Sequence, residues 1–179
     1  MKPKKAAKDY TDAFQQESNT SLTIEMESIG VVHSPFKERF AAPRQPDLSN
    51  PAKGYIELNS GLNFEQALSD LDSFTHIWVI YWMHLNHGWN PTVMPPRGSD
   101  IRRGLFSTRA PHRPNRIGLS VVTLTSIKKR TLFIEGLDML DGTPVLDIKP
   151  YLPYADSVEG ATHGWLDPNT PFTFSSTHK

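Results

Sequence analysis

Short stretches of alternating or continuous apolar residues, separated by long polar segments, run through the sequence. Residues 23–32 alternate apolar and polar with a period of two, which predicts a half-buried strand. Residues 55–58 predict a second strand, and residues 75–82, rich in β-branched and aromatic side chains, predict a buried central strand. Between them, the apolar positions of residues 64–71 have helical spacing after Asn63, a candidate N-cap.

The second half of the chain also has short apolar stretches separated by polar segments. Residues 84–116 form a long, proline-containing loop in which residues 104–108 are predicted to make a strand. Val- and Thr-rich residues 117–127 predict a further strand, and residues 131–135 predict the next one. The turn pair Asp141-Gly142 follows, and residues 145–148 predict the last strand.

This pattern holds about seven short strands, one clear helix and no alternation of strands with helices. It predicts a mainly β fold, a single-sheet, antiparallel-rich β-barrel with long loops and one or two short helices. Polar residues 1–21 predict a disordered or loosely docked extension. We expect the barrel domain over residues 22–157 and an irregular C-terminal tail over residues 158–179.

The amino-acid composition limits the cellular compartments in which the protein is expected. The 179 residues include no cysteine, which excludes disulfides and cysteine nucleophiles and fits a reducing compartment. No apolar run approaches the length of a membrane helix, and the polar start lacks the apolar centre of a signal peptide. We therefore expect no membrane partner and a location in the cytosol.

Charge is distributed unevenly although its formal sum is zero. Residues 97–130 carry nine basic residues and one acidic residue, whereas both flanking regions are net acidic. Such a segment is typical of a surface that binds phosphate or another polyanion. The alternative is that these arginines pair with the acidic flanks within the fold.

The common motifs of nucleotide binding and hydrolysis are absent. The sequence has no glycine-rich dinucleotide fingerprint, no P-loop and no G-x-S-x-G elbow. His84 and His87 stand three residues apart without an acidic neighbour, so no metal site is expected.

Three dense polar stretches remain, over residues 40–46, 109–120 and 137–151. Prolines stiffen them, which lowers the entropy lost when their side chains hold a ligand. Arg109 and Arg113 are suited to clamp a carboxylate or phosphate. The alternative is that the Arg-Pro stretches merely brace surface turns.

Together these stretches resemble the TrmO (TsaA-like) family of S-adenosylmethionine-dependent tRNA adenine N6-methyltransferases. The resemblance covers about residues 24–157 and rests on blocks that occur in family order. The blocks are Ile29-Gly30-Val31-Val32-His33-Ser34-Pro35-Phe36-Lys37, Pro43-Arg44-Gln45, Phe74-Thr75-His76-Ile77-Trp78-Val79, Arg103-Gly104-Leu105-Phe106-Ser107-Thr108-Arg109, residues 111–120 and residues 137–151.

The resemblance implies a β-barrel and a homodimer whose S-adenosylmethionine site lies close to the subunit interface. It also implies a tRNA partner, recognised at the anticodon arm, in which threonylcarbamoyladenosine next to the anticodon is methylated on N6. Carried over by motif, the cofactor contacts are Pro43, Arg44, Gln45, His84, Leu85, Arg109, Leu119, Gly136, Leu137 and Asp138.

For catalysis we expect a carboxylate that removes a proton from the substrate nitrogen. Asp141 is the first candidate, with Asp138 and His84 as substitutes, although Asp141 could equally do no more than shape its Asp-Gly turn. Lys149 and Tyr151 are expected to orient the substrate.

Arg113 and Asn115 are expected to bind the same substrate. The alternative function is a non-catalytic, cofactor-sensing or RNA-binding β-barrel module.

Overall fold

A computed structural model describes residues 23–38, 41–43, 51–96 and 101–166. The strands are β1 (Gly30–His33), β2 (Lys53–Leu58), β3 (His76–Trp82), β4 (Thr92–Val93), β5 (Arg103–Gly104), β6 (Ile117–Lys128), β7 (Thr131–Glu135) and β8 (Pro144–Pro150). Six of them close into an antiparallel barrel in the spatial order β1-β2-β7-β6-β3-β8, and β4 pairs with β5 in a separate small sheet. The predicted mainly β, single-sheet barrel is confirmed.

The barrel closes around an apolar core because inward positions alternate with outward ones along each strand. On β6 the buried positions are every second residue from Gly118 to Leu124. The core is built from aliphatic side chains of all six barrel strands and of the loop after β7: Val32, Ile56, Leu58, Ile77, Val79, Val122, Leu124, Leu132, Ile134, Leu137, Met139 and Val145.

Antiparallel pairing sends the long connections to one end of the barrel. The segments 34–52, 83–116 and 136–143 link β1 to β2, β3 to β6 and β7 to β8, and all three leave the barrel at the same end, the loop end. The opposite end, the turn end, carries residues 59–75, the two-residue turn between β6 and β7 and the segment after β8.

Two predicted strands differ from those observed. Residues 23–29 alternate in sequence but lie outside any strand, because β1 finds its partners β2 and β8 only from Gly30 onward. Ile24 and Met26 are accordingly exposed. Residues 105–107 form a 3₁₀ turn after the short strand β5, so the strand predicted over 104–108 is wrong.

The helices are short. Helix α1 (Phe64–Ala67) begins after Asn63, which has a left-handed backbone and bonds the Gln66 side chain instead of capping the helix. Helix α2 (Pro153–Asp156) follows β8. No helix among the described residues is long and apolar enough to cross a membrane. The extension predicted over 1–21 and most of the tail predicted over 158–179 lie outside the described residues.

Candidate functional site at the loop end of the barrel

A chain of polar side chains lies inside the barrel where the core reaches the loop end. The Ser120 hydroxyl donates to Oδ1 of Asp138 at 2.7 Å. The Tyr81 hydroxyl lies 3.3 Å from the Ser120 oxygen. Because serine has a single hydroxyl proton and Asp138 accepts it, Tyr81 is the donor in the second contact. Tyr81, Ser120 and Asp138 therefore form one directed hydrogen-bond chain, here called the polar chain.

The local sequence explains how the polar chain fits. Tyr81 of β3 stands opposite Gly118 of β6, and Ser120 is the next inward position on the same strand. A Cβ atom on Gly118 would lie 2.3 Å from the Tyr81 ring. Glycine at position 118 thus lets the tyrosine ring lie across β6 with its hydroxyl directed to Ser120.

Asp138 is held by the loop that follows β7. Its neighbours Leu137 and Met139 are buried in the core, at 0% and 1% exposure. Gly136, with a φ of 82°, turns the chain out of β7, and its N–H donates to the carbonyl of Ala52. Two buried anchors therefore fix the carboxyl that stands between them.

Burial sets the protonation behaviour of the polar chain. It raises the pKa of the Asp138 carboxyl, while the Ser120 hydrogen bond and the nearby Arg109 charge act in the opposite direction. Burial and the Asp138 charge raise the pKa of Tyr81 to about 12, so this hydroxyl stays protonated at neutral pH. The raised pKa makes Asp138 a stronger base than an exposed aspartate, although the charge of Arg109 partly opposes the shift.

Asp141, on the same loop, has different surroundings. Its Oδ1 accepts the backbone N–H of Ser34 at 3.0 Å, and its Oδ2 forms an ion pair with Lys37 at 2.7 Å. The Lys37 hydrogen bond, followed by the Ser34 N–H, lowers the pKa of the Asp141 carboxyl. Both oxygens are engaged in tying the turn to the segment after β1, which favours the turn-shaping alternative over proton abstraction.

The arginine-rich stretch folds over the loop end and is partly braced by its own arginines. Arg113 donates to the carbonyl of Thr108 at 3.0 Å and lies over the Phe106 ring at 5.6 Å. Arg116 donates to the carbonyl of Asn86 and covers the Trp82 ring at 4.7 Å. These contacts fit the bracing alternative, yet Arg113 also lines a depression of about 300 Å³ with Asn115 and the exposed Phe106.

The remaining predicted cofactor contacts are spread around the loop end. His84 is half-buried after β3, Leu85 is exposed beside it, and Arg109 is exposed in the β5–β6 segment. Leu119 is exposed on the outward face of β6, opposite in direction to Ser120. Pro43 lies in the first connection, whereas Arg44 and Gln45 lie outside the described residues.

Lys149 and Tyr151 are not brought to this site. Both belong to the far end of β8, where the Tyr151 N–H donates to the carbonyl of His76 and its ring packs 5.7 Å from that of Trp78. Lys149 pairs with Asp147 at 2.8 Å. Asp141 precedes the seven-residue strand β8 and Tyr151 follows it, which places these two residues about 20 Å apart along the strand.

Tyr81 and Ser120 are site residues that the sequence reasoning missed. Tyr81 lies in a run that predicts only a buried strand, where a tyrosine is ordinarily core, and Ser120 ends the polar stretch 109–120 without being singled out there. The available signal was positional. A serine at an inward position of a Val-rich strand requires a hydrogen-bond partner.

In the described part of the chain, no three His, Asp or Glu side chains come together as metal ligands would. The described residues show instead a closed six-stranded barrel with a partly buried, hydrogen-bonded carboxyl, and the charge of Arg109 acts on this carboxyl. The protein is thus a closed β-barrel with a candidate ligand site at one mouth.

Comparison with known proteins identifies the family. Residues 31–157 match the family model for the tRNA-methyltransferase O N-terminal domain, and the chain belongs to that family. It is 44% identical over 147 residues to a tRNA (adenine(37)-N6)-methyltransferase of Escherichia coli K12, covering 78% of this chain and 63% of the relative.

Two further relatives match this family assignment. A probable S-adenosyl-L-methionine-binding protein of Pyrococcus abyssi is 41% identical over 148 residues, with 83% of this chain and 79% of that protein covered. A crystal structure of TrmO from Pseudomonas aeruginosa superposes with a TM-score of 0.67 at 43% identity, covering 80% of this chain and 62% of that one. The chain thus spans less than two thirds of the Escherichia and Pseudomonas proteins.

Proposed function

We propose that this protein binds S-adenosylmethionine at the loop end of the barrel and transfers its methyl group to N6 of an adenine in tRNA. The observation that carries the proposal is the partly buried carboxyl of Asp138, which accepts a hydrogen bond from Ser120 and lies within the electrostatic influence of Arg109. The membership of the chain in this family supports it. The names of the Escherichia and Pyrococcus relatives supply the reaction and the cofactor.

The residues at the loop end fit this cofactor. Its methionine carboxylate suits the Arg109 guanidinium, and its ammonium and sulfonium charges suit the neighbourhood of the Asp138 carboxylate. The exposed side chain of Leu85 offers apolar surface for the adenine ring.

When bound, S-adenosylmethionine supplies an electrophilic methyl group. The residues of this chain handle the proton that the substrate nitrogen must lose. A threonylcarbamoyl group on N6, as the family resemblance implies, makes that N–H more acidic, so a modest base suffices. Asp138 accepts the proton, and Ser120, itself held by Tyr81, fixes the carboxylate through its hydrogen bond.

The basic surface beside the site is the proposed contact for the anticodon arm. Arg113, Asn115 and the exposed ring of Phe106 line one depression, which offers donors to phosphates and a face for an unpaired base. Binding to tRNA should therefore weaken steeply with added salt. Such an activity requires the compartment in which tRNA resides, in accord with the expected cytosolic location.

A homodimer is part of the same proposal. Exposed apolar side chains gather on the outer face beside the site, with Ile117 and Leu119 on β6 and Leu85 just after β3. A second copy covering this face would bury apolar area and bring the cofactor pocket close to the interface. Sedimentation of Leu119→Glu against the unaltered protein tests this, and a monomeric unaltered protein would overturn it.

The proposed activity is tested with S-adenosylmethionine carrying a labelled methyl group and with total tRNA, followed by nucleoside analysis. We expect label on N6-threonylcarbamoyladenosine. Calorimetry with the cofactor is run in parallel. Cofactor binding without transfer to any tRNA would instead support a cofactor-sensing module, and tRNA binding without cofactor binding would support an RNA-binding module.

A further inference from the structure

A second depression, of about 410 Å³, lies on the outside of the barrel, away from the polar chain. It is formed by the adjacent strands β1, β2 and β7 and by the start of the first connection. Its lining combines aromatic rings with basic side chains: His33, Ser34, Pro35, Lys37, Lys53, Gly54, Tyr55 and Phe133.

Three rings of this lining form a continuous ladder across the strands. His33 pairs in register with Tyr55, and Tyr55 with Phe133, and all three occupy outward positions. The rings of His33 and Tyr55 are stacked, with centroids 4.5 Å apart and planes 17° from parallel. Phe133 follows at 6.0 Å. Cross-strand aromatic pairs of this kind stabilise the sheet, and Tyr55, 36% exposed, still offers part of its surface to a ligand.

Cations and carboxylates both border this ladder, since Glu57 lies 3.6 Å from Nε2 of His33. Lys128 lies over the Phe133 ring at 5.5 Å, and Lys37 and Lys53 border the depression. Among the described lining residues there is no carboxylate.

Lys37 and Lys53 have acidic partners in Asp141 and Glu135, but the lysine side chains are 65% and 78% exposed. Exposed ion pairs contribute little, so these ammonium groups can turn to a phosphate at small cost.

We infer that the ladder of His33, Tyr55 and Phe133 is a stacking platform for unpaired bases of the RNA substrate. The inference rests on the proposed function, since it takes tRNA as the ligand. Aromatic rings on a strand surface, interleaved with lysines that reach phosphates, are the features that recognise single-stranded nucleic acid. A protein partner is disfavoured because protein interfaces are depleted in lysine.

The ladder and the proposed catalytic site share the loop end of the barrel. His33 and Lys53 stand where β1 ends and β2 begins, at the loop end of the barrel. Lys37 contacts Asp141, three residues along the same loop from Asp138. An adenine presented to Asp138 would thus have its neighbouring nucleotides on the side of the barrel that carries the ladder.

The test compares Tyr55→Leu and Phe133→Leu with Tyr154→Leu. Tyr154 is a matched control, an 86% exposed aromatic residue on α2 at the turn end. For each protein we measure the Kd for an anticodon stem-loop and for a single-stranded octanucleotide, the KM for tRNA and the affinity for S-adenosylmethionine. We expect roughly tenfold weaker RNA binding and a similarly raised KM in the two ladder variants, the loss of one stacked base, with unchanged cofactor affinity and an unaffected control.

Two additional measurements cover other outcomes. Ultraviolet crosslinking of the unaltered protein to the octanucleotide should yield adducts on peptides that contain Tyr55 or Phe133. This measurement does not depend on the folding of any variant.

Unchanged RNA affinity and KM in both folded variants, with normal methyl transfer, would overturn the stacking platform and leave the proposed function standing. A switch from dimer to monomer in Tyr55→Leu with unchanged RNA affinity would also overturn it, in favour of a second copy of this chain. RNA binding that depends on the ladder in a protein without methyl transfer would support the platform and refute the proposed function.

Discussion

The two ends of the barrel differ in how their polar side chains are hydrogen-bonded and exposed. At the turn end, Trp78 donates to Asp156 at 3.0 Å, and the same carboxylate oxygen accepts the N–H of Leu152, all at exposed positions. At the loop end, Asp138 is partly buried and accepts a hydrogen bond from Ser120, which in turn contacts Tyr81. Exposed contacts of this kind stabilise the fold with little desolvation cost. Burying a carboxyl, in contrast, lowers stability, and such groups are typical of functional sites.

The same contrast recurs within one loop. Asp138 and Asp141 are three residues apart, yet burial raises the pKa of the first and Lys37 lowers that of the second. Loss of a carboxylate should therefore abolish chemistry at one position and weaken a turn at the other.

The largest expected effect is that of Asp138→Asn. Removing the base should lower the single-turnover methyl-transfer rate about 10²–10⁴-fold, while the amide keeps the size and can still accept from Ser120. Asp147→Asn, which alters an exposed carboxylate on β8, is the control and should leave the rate unchanged. In the unaltered protein the rate should rise with pH as Asp138 ionises, because a protonated carboxyl cannot accept the proton. A folded Asp138→Asn variant that transfers methyl at the unaltered rate would remove the distinction between the two ends.

Arg109→Ala should have the next largest effect. Loss of a charge-assisted contact with the methionine carboxylate costs about 1.5–3 kcal/mol, which corresponds to roughly tenfold to over a hundredfold weaker cofactor binding. Calorimetry measures this directly. Arg102→Ala is the control, since Arg102 bonds Thr92 in the small sheet. Equal losses of cofactor affinity in both variants would mean that the arginines act only through the overall positive charge of the surface and not through a specific contact.

At the turn end, Trp78→Phe should change stability and not chemistry. It removes the hydrogen bond to Asp156 and part of the packing on Tyr151. We expect a loss of about 1 kcal/mol in the free energy of unfolding, measured by urea denaturation. Methyl transfer should stay within twofold. A much larger loss of rate would show that the turn end contributes to the site.

Asp141→Asn should have the smallest effect, less than about 1 kcal/mol, because the amide oxygen can still accept from Ser34 and only the exposed ion pair with Lys37 is lost. The folded pKa of Asp141 is lowered, so its contribution to stability is present above the unfolded value of about 4 and is lost as pH falls through the folded value. The difference in unfolding free energy between the two proteins should therefore vanish in acid. A difference that grows with falling pH would contradict the ion-pair account.

Much of the barrel could be predicted from the sequence because its central strands are long, apolar and β-branched. Strand β7 has the predicted bounds, and β3 and β6 differ by a residue at one end. The pattern over 23–29 misled because alternation makes a strand only where a partner is available to pair with it.

The site was harder to predict, for physical reasons. Asp138 and Asp141 differ in their partners, the Ser120 hydroxyl for the first and Lys37 with the Ser34 N–H for the second, and two aspartates three residues apart look alike in a sequence. The separation of Tyr151 from this loop could have been foreseen, because the segments before and after one strand lie at opposite ends of it. The partnership of Tyr81 with Ser120 depends on the register between β3 and β6, which local patterns do not fix.

The most direct test of the account is the location of the cofactor. A crystal structure of the protein with S-adenosylhomocysteine, which lacks the transferable methyl group, shows it without turnover. We predict the ligand at the loop end, with its carboxylate on Arg109 and its sulfur on the side of Asp138. A ligand bound at the turn end beside Trp78 and Tyr151, or in the depression lined by Tyr55 and Phe133, would contradict the account.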